Sequence, residues 1–181
     1  MSDNTRCFFA LTFDTKAQEM LQRSRDTLKR NAAHGSFTHD GNFHLTLEFI
    51  GAVSDADLAQ LGGLLTQLES EPPHLLHSRQ LGHFDIKGGR LIWLGVKPDA
   101  RLMALQAELR GLLALNGFTP ENRRYRPHIT LGRRVELYQS MDALGMPDTD
   151  LSVHSVALME SAHVNGKLRY QPRYERLVAQ S

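Results

Sequence analysis

Apolar residues recur along the chain with two periods, one of about two residues and one of about 3.6 residues, which are typical of strands and of helices. The shorter period predicts seven strands, which are 7–13, 43–50, 75–86, 90–96, 127–135, 151–161 and 167–177. The helical period predicts three long helices and a short one, which are 15–31, 54–68, 99–115 and 137–144. The chain therefore has an α+β pattern, with a hairpin turn at Lys87-Gly88-Gly89.

Two stretches of the chain repeat the same order of elements. Each has a strand, a helix and then a strand that opens with histidine. The distance from Phe8 to His44 is 36 residues, and the distance from Leu91 to His128 is 37 residues. Because repetition at a fixed offset indicates duplicated units, we expect two pseudo-symmetric lobes with a cleft between them.

Composition narrows the class of protein. The chain has 181 residues, of which 41% are apolar and 23% charged, which predicts one folded domain over 1–181. No apolar run is long enough to span a bilayer and the N-terminus lacks the pattern of a secretory signal, so we expect a cytoplasmic protein with no membrane partner. The single cysteine, Cys7, excludes an internal disulfide and any multi-cysteine zinc site.

Two tetrads of one pattern stand at matching places in the repeats. The first runs from His44 through Thr46 to Leu47, and the second from His128 through Thr130 to Leu131. From the composition, about 0.08 tetrads with this His-apolar-Thr-apolar pattern are expected by chance. Since side chains alternate along a strand, each histidine shares a face with its threonine, and the apolar residues face the core. The pair therefore indicates function rather than packing.

Two histidines facing each other across a cleft suit in-line displacement at phosphorus. A neutral imidazole takes a proton from the nucleophile, and an imidazolium gives one to the leaving group. The threonine hydroxyls can donate to non-bridging oxygens, whose charge needs stabilisation in the transition state. A strained cyclic phosphodiester is a fitting substrate for such a site without a metal ion. The chain has no glycine-rich phosphate loop, so ATP use is not expected. This two-histidine chemistry needs no cofactor, and none is expected.

These motifs resemble those of the two-histidine (2H) phosphoesterase superfamily, and most closely its bacterial RNA 2′,3′-cyclic phosphodiesterase branch, also called the LigT-like or 2′-5′ RNA ligase family. Members carry two H-x-T-x motifs with apolar residues at both x positions. The resemblance covers nearly the whole chain and is carried by residues 6–10, 42–51, 91–96, 126–133 and 166–170. Gly132 departs from the alanine of many relatives.

The resemblance implies antiparallel sheets that form a V-shaped central cleft, with helices packed outside. It also implies that a terminal 2′,3′-cyclic phosphate opens to a 2′-phosphomonoester, with His44 as proton donor and His128 as proton acceptor. The sequence alone does not assign these two roles. The implied partners are RNA ends with a 2′,3′-cyclic phosphate, with tRNA fragments and small cyclic nucleotides as candidates, and a monomer is expected.

Several residues near the motifs are candidate substrate contacts. Strict alternation from His128 places Arg134 on the catalytic face, whereas the family pattern favours Arg133, and a bulge at Gly132 would reconcile the two. Arg133 is our candidate for the phosphate. Two further candidates are Arg126 for RNA phosphates and Tyr125 for stacking on a nucleobase.

Three further residues are candidates for the site: the acid Glu48 and the aromatic residues Phe9 and Trp93. Alternation places Glu48 on the face of His44, where it would orient a histidine or cover surface. Phe9 and Trp93 would stack on a base, although burial in the core is the more ordinary role for such residues.

Three alternatives to the cyclic phosphodiesterase stay open. The same histidines would serve 2′-5′ joining of RNA by microscopic reversibility. Another cyclic phosphate, such as a cyclic ADP-ribose derivative, would fit the same chemistry. A non-catalytic RNA-binding module is the alternative of a different class, and the intact histidines and threonines of both motifs argue against it.

Overall fold

A computed structural model describes residues 4–179. In chain order the strands and helices are β1 Thr5–Phe13, α1 Thr15–Arg30, β2 Ala32–Phe37, β3 Leu45–Val53, α2 Asp55–Leu64, β4 Leu75–Ile86, β5 Gly89–Val96, α3 Ala100–Leu115, β6 His128–Leu137, β7 Asp150–Val164 and β8 Lys167–Leu177. Two single turns of 3₁₀ helix, Asp40–Asn42 and Met141–Leu144, precede β3 and β7. The predicted helix at 137–144 is therefore only this second short turn.

All strand pairs within residues 4–179 are antiparallel, as the family resemblance implied. One half of the sheet contains β3, β1, β7 and β8, and the other contains β4, β5, β6 and β2. The two halves join where Leu75–His77 of β4 pair with residues 150–152 of β7. Each half therefore carries one histidine strand, and these two strands, β3 and β6, approach each other across the opening between the halves.

The predicted repeat is visible as two units, β1-α1-β3 and β5-α3-β6, in which the two strands pair with each other. Strand β2 lies within the first unit but pairs with β6 of the second. Its sequence, AAHGSF, has no apolar alternation and its residues are largely exposed, which is why the pattern did not predict it. Backbone pairing with the edge of β6 holds β2 in place, and only its end residues, Ala32 and Phe37, pack against the core.

The helices cover the sheet through leucine stripes. Asp14 caps α1 by accepting a hydrogen bond from the Ala17 N–H at 2.8 Å, and Asp99 caps α3 in the same way. Helix α2 ends at Leu64, earlier than predicted, but Leu65 and Leu68 in the turns beyond it are still buried in the core. No helix in the described part of the chain has the length and hydropathy to cross a membrane.

Candidate active site

The two histidine motifs line one cavity of about 820 Å³. His128 is the first residue of β6, and His44 immediately precedes β3. The histidine and threonine side chains of both motifs face this cavity, while the apolar residues between them are buried in the core, as alternation predicted. We call this cavity the histidine cleft; its walls come from both halves of the sheet.

Both imidazoles are oriented by the same local contact. The His44 Nδ1–H donates to the carbonyl oxygen of Asn42 at 2.8 Å, and the His128 Nδ1–H donates to that of Arg126 at 2.7 Å. In each case the acceptor lies two residues before the histidine. The hydrogen-bond network therefore places the proton of the neutral ring on Nδ1 and makes Nε2 the acceptor nitrogen.

Each histidine ring is enclosed by two aromatic rings. Phe8 and Tyr170 lie 4.8 and 5.0 Å from the His44 ring, centroid to centroid. Phe84 and Trp93 lie 5.5 and 5.7 Å from the His128 ring. Because aromatic neighbours exclude water, both imidazoles are held in apolar surroundings.

The electrostatic consequence is that the cleft disfavours imidazolium. The pKa of His44 is lowered to about 4, mainly by burial, with smaller contributions from the nearby His128 and Arg133, while the hydrogen bond to Asn42 acts in the opposite direction. Burial also lowers the pKa of His128, with Arg126 and Arg133 as nearby positive charges. Near neutral pH these surroundings therefore favour two neutral imidazoles.

A bulge interrupts the alternation of β3 directly after the motif. Phe9 faces Glu48 and Ala10 faces Thr46, so Leu47 is an extra residue on β3. Two consecutive side chains, Leu47 and Glu48, consequently turn to the core, each 2% exposed. The expectation that Glu48 shares the face of His44 is therefore wrong.

The buried Glu48 carboxylate has a structural environment. It accepts hydrogen bonds from the Gln106 amide at 2.6 Å and from the Arg110 guanidinium at 2.8 Å, both on α3. These bonds compensate for the burial of its charge and tie the histidine strand to the helix behind it.

Strand β6 has its bulge at the equivalent residue. Ile92 faces Gly132 and Trp93 faces Thr130, so Leu131 is the extra residue. After the bulge Arg133 lines the histidine cleft, whereas Arg134, which has a left-handed backbone with φ 52°, is not among the lining residues. The bulge that would reconcile the family pattern with alternation is thus present.

The bulge on β3 brings Phe49 into the cleft at the place that corresponds to Arg133 on β6. The Phe49 ring is 40% exposed, and the Arg6 guanidinium lies 5.7 Å from its centroid. Sequence reasoning missed this ring because strict alternation turns it to the core. The matching offset from the two histidines, five residues in each case, is the signal that could have found it.

Asn42 is a second residue that the sequence analysis missed. It is 7% exposed, its amide N–H donates to the Leu168 carbonyl at 3.0 Å, and its amide oxygen accepts from the Tyr170 N–H at 3.1 Å. Through these bonds Asn42 attaches β8 to the histidine strand and sets the Tyr170 ring against His44.

Tyr125 and Arg126 do not line the histidine cleft. Both line a second cavity, of about 850 Å³, beside the wall that carries His128. The Tyr125 hydroxyl donates to the Thr46 carbonyl at 2.8 Å, and burial raises its pKa. On the other strand, the Thr38 hydroxyl donates to the Thr130 carbonyl at 2.9 Å.

The structure also places the two aromatic residues that the sequence suggested for stacking on a base, Phe9 and Trp93. Phe9 is fully buried in the core. Trp93 lies between the His128 ring and the second cavity. Among residues 4–179 no group of three or more His, Cys, Asp or Glu side chains is arranged to hold a metal ion.

Comparisons with known proteins agree with this geometry. The family model of the 2′-5′ RNA ligase superfamily matches residues 13–165. An RNA 2′,3′-cyclic phosphodiesterase of Escherichia coli is 31% identical over 95% of this chain and 96% of its own, and one of Aeropyrum pernix is 30% identical over 89% and 96%. The crystal structure of E. coli LigT complexed with 3′-AMP superposes with a TM-score of 0.78 at 28% identity, covering 98% of this chain and 100% of the other. The chain belongs to the 2′-5′ RNA ligase superfamily.

Proposed function

We propose that this protein is a hydrolase that opens the 2′,3′-cyclic phosphate at the end of an RNA to a 2′-phosphomonoester. The observation that carries the proposal is the pair of imidazoles on opposite strands of one cleft, each with Nδ1 bound to a backbone carbonyl. The E. coli and A. pernix relatives are named for this activity.

In the proposed reaction the two histidines exchange protons with the substrate. His128 Nε2 takes a proton from water as the water oxygen forms its bond to phosphorus, and the bond between phosphorus and the 3′ oxygen breaks. His44 Nε2 gives its proton to that 3′ oxygen. The reaction leaves His128 protonated and His44 neutral, and exchange with solvent restores the starting state.

Protonation of His44 depends on the substrate. The protein groups around His44 by themselves disfavour imidazolium and lower its pKa. A cyclic phosphodiester carries a negative charge, and an opposite charge within about 4–6 Å favours the protonated ring. Substrate binding therefore supplies the charge that makes His44 an acid, so the acid forms mainly when there is a bond to cleave.

The threonines and Arg133 are the proposed stabilisers of the phosphate oxygens. The Thr46 hydroxyl donates to His44 Nε2 at 3.0 Å in the structure. Once Nε2 carries a proton it no longer accepts this bond, and the Thr46 hydroxyl is released to donate to a phosphate oxygen. Thr130 and Arg133 approach from the other wall, where the planar guanidinium can donate to two oxygens of the phosphate.

The nucleobase next to the cyclic phosphate is proposed to stack on Phe49. This ring is exposed in the cleft, whereas the Tyr125 ring is partly buried outside it. Base–aromatic stacking is tolerant of sequence, since every base has a π-face. Arg126 is proposed to contact an RNA phosphate, and Tyr125 remains a stacking candidate only within the second cavity.

The test is hydrolysis of an RNA oligonucleotide with a terminal 2′,3′-cyclic phosphate in the presence of EDTA. We expect a product whose mass has increased by one water. A phosphomonoesterase should then remove one phosphate from this product, and that phosphate should be on the 2′ oxygen. Loss of activity in EDTA would contradict the metal-independent mechanism, and a 3′-phosphate product would contradict the choice of leaving group. An intact substrate would overturn the function.

The family description keeps 2′-5′ joining as a second candidate activity. Adding an RNA with a free 5′ hydroxyl to the same reaction tests it, because joining gives a longer product that resists nucleases specific for 3′-5′ bonds.

Three further properties remain predictions: tRNA fragments or small cyclic nucleotides as natural substrates, a monomeric state and a cytoplasmic location. Substrate competition, light scattering and cell fractionation check them.

A further inference from the structure

The second cavity adjoins the histidine cleft at Trp93. The Trp93 ring lies 5.7 Å from the His128 ring and also lines the second cavity. Gly95, which pairs with His128 across β5 and β6, also lines the second cavity. The volume of the second cavity, about 850 Å³, lies within the range of ligand sites, about 300–1,000 Å³. The second cavity therefore lies behind Trp93, on the His128 side of the histidine cleft.

The lining of the second cavity is positively charged. Arg79, Arg124 and Arg126 line it against a single acid, Asp148. All three arginines are exposed, and within residues 4–179 none of them forms an ion pair. Arginines that are not neutralised within the protein are available to an anion, and phosphate suits their planar fork of donors.

The wall of the cavity also offers flat, apolar surface. The Trp93 ring lies on Gly82, where an added Cβ would come within 2.1 Å of a ring carbon, so only glycine permits this position of the ring. Its indole N–H is buried and has no acceptor among the described residues. Tyr125 contributes a second aromatic ring. Arginines interleaved with aromatic rings are typical of sites for single-stranded nucleic acid.

We propose that this cavity binds the sugar–phosphate backbone of an RNA strand whose terminal cyclic phosphate lies in the histidine cleft. The proposal rests on the proposed function and names its substrate class as a polynucleotide rather than a free cyclic mononucleotide. The nucleotides that precede the reacting end pass Trp93, and their phosphates meet Arg79, Arg124 and Arg126. The enzyme consequently prefers an oligonucleotide, and salt weakens that preference.

The experiment measures kcat/KM for two substrates, an RNA pentanucleotide that ends in a 2′,3′-cyclic phosphate and the cyclic mononucleotide 2′,3′-cAMP. The test variant is Arg79→Ala/Arg124→Ala. The matched control is Arg23→Ala/Arg30→Ala, which removes two exposed arginines of α1 that line neither cavity. Both variants lose the same net charge, so a general electrostatic effect would be common to them.

We expect the test variant to lose about tenfold in kcat/KM for the pentanucleotide and to keep its activity on 2′,3′-cAMP. The slope of log kcat/KM against log salt should become shallower by about 0.7 for each RNA phosphate that no longer meets an arginine. The control should behave as wild type on both substrates. Equal losses on both substrates, or no loss on either, would overturn the inference while the proposed function stands. A wild-type protein inactive on both substrates would overturn the function, and this inference with it.

Discussion

Strands β3 and β6 have the same geometry through their motifs and different chemistry directly after them. Each places histidine and threonine in the cleft, each bonds Nδ1 to the carbonyl two residues earlier, and each has its bulge at the leucine that ends the motif. Beyond the bulge β3 presents Phe49 and β6 presents Arg133. In the proposed function the shared part serves in-line displacement, which needs a group on each side of phosphorus. Phe49 and Arg133 are proposed to orient the substrate, one by its base and the other by its phosphate.

The surroundings of the two rings differ as well. His44 accepts a bond from the Thr46 hydroxyl, and burial lowers its pKa to about 4. The described residues supply no corresponding bond from Thr130 to His128. An acid and a base on a pseudo-symmetric scaffold require unlike surroundings, because equal surroundings would leave both rings with the same proton affinity.

Removing either histidine should have the largest effect. His44→Ala and His128→Ala are each expected to lower kcat by at least about 10²-fold, the usual contribution of a positioned acid or base. Because the two rings act in one displacement, the double variant should be barely slower than either single variant. Single-turnover rates with circular dichroism as a folding control check this. Multiplicative losses would count against a shared step.

Deleting the threonine hydroxyls should have the next largest effect. Thr46→Val and Thr130→Val keep the β-branched shape and are expected to lower kcat by about 10- to 10³-fold with Tm little changed, since the lost donors act mainly on transition-state charge. Kinetics and thermal melts on both variants measure the two quantities. Lower stability with near-normal turnover would show that a hydroxyl has only a structural role.

Removing the Phe49 ring should affect binding more than turnover. Phe49→Ala is expected to raise KM by about tenfold, as base stacking contributes roughly 1–3 kcal/mol, and to leave kcat within about threefold. Phe49→Leu should recover only part of the loss, because it restores apolar area without a π-face. Tyr138→Ala, which removes a ring that is 75% exposed elsewhere, is the control. An unchanged KM in Phe49→Ala would show that the base binds elsewhere.

The pH profile should show the smallest effect, a displacement of the optimum. Catalysis needs one imidazolium and one imidazole, so kcat/KM should follow a bell-shaped curve against pH. The two limbs of this curve report apparent pKa values of the histidine pair. Because the pKa of His44 is lowered to about 4 and that of His128 is also lowered, the maximum should lie on the acid side of about pH 6.5, the ordinary histidine value.

Bound phosphate raises both histidine pKa values, so the kcat profile should lie at higher pH than that of kcat/KM. Rates measured between pH 4 and 8 at low and saturating substrate give the two profiles. A kcat/KM maximum above pH 7 would contradict the desolvated environment of the rings. Since either assignment of acid and base gives the same bell, the roles of His44 and His128 are separated by the profiles of the single variants.

Periodicity predicted most of the fold and the centre of the site. The strand 75–86 has the observed bounds, and the alternation around both histidines continues through their threonines. It missed β2, which pairs with β6 and packs only its end residues, Ala32 and Phe37, against the core. Periodicity describes what a segment buries, so an edge strand whose middle residues are exposed leaves no such signal.

Local sequence thus determined which residues lie together along each strand, because alternation within a strand depends only on the two-residue repeat of the backbone. Tertiary structure decided everything that crosses between elements. The bulges opposite β1 and β5 buried Glu48 and turned Phe49 and Arg133 to the cleft. The hydroxyl bonds from Tyr125 to Thr46 and from Thr38 to Thr130 connect segments 79 and 92 residues apart. Such contacts depend on how two strands pair and pack, which the period of either strand alone does not contain.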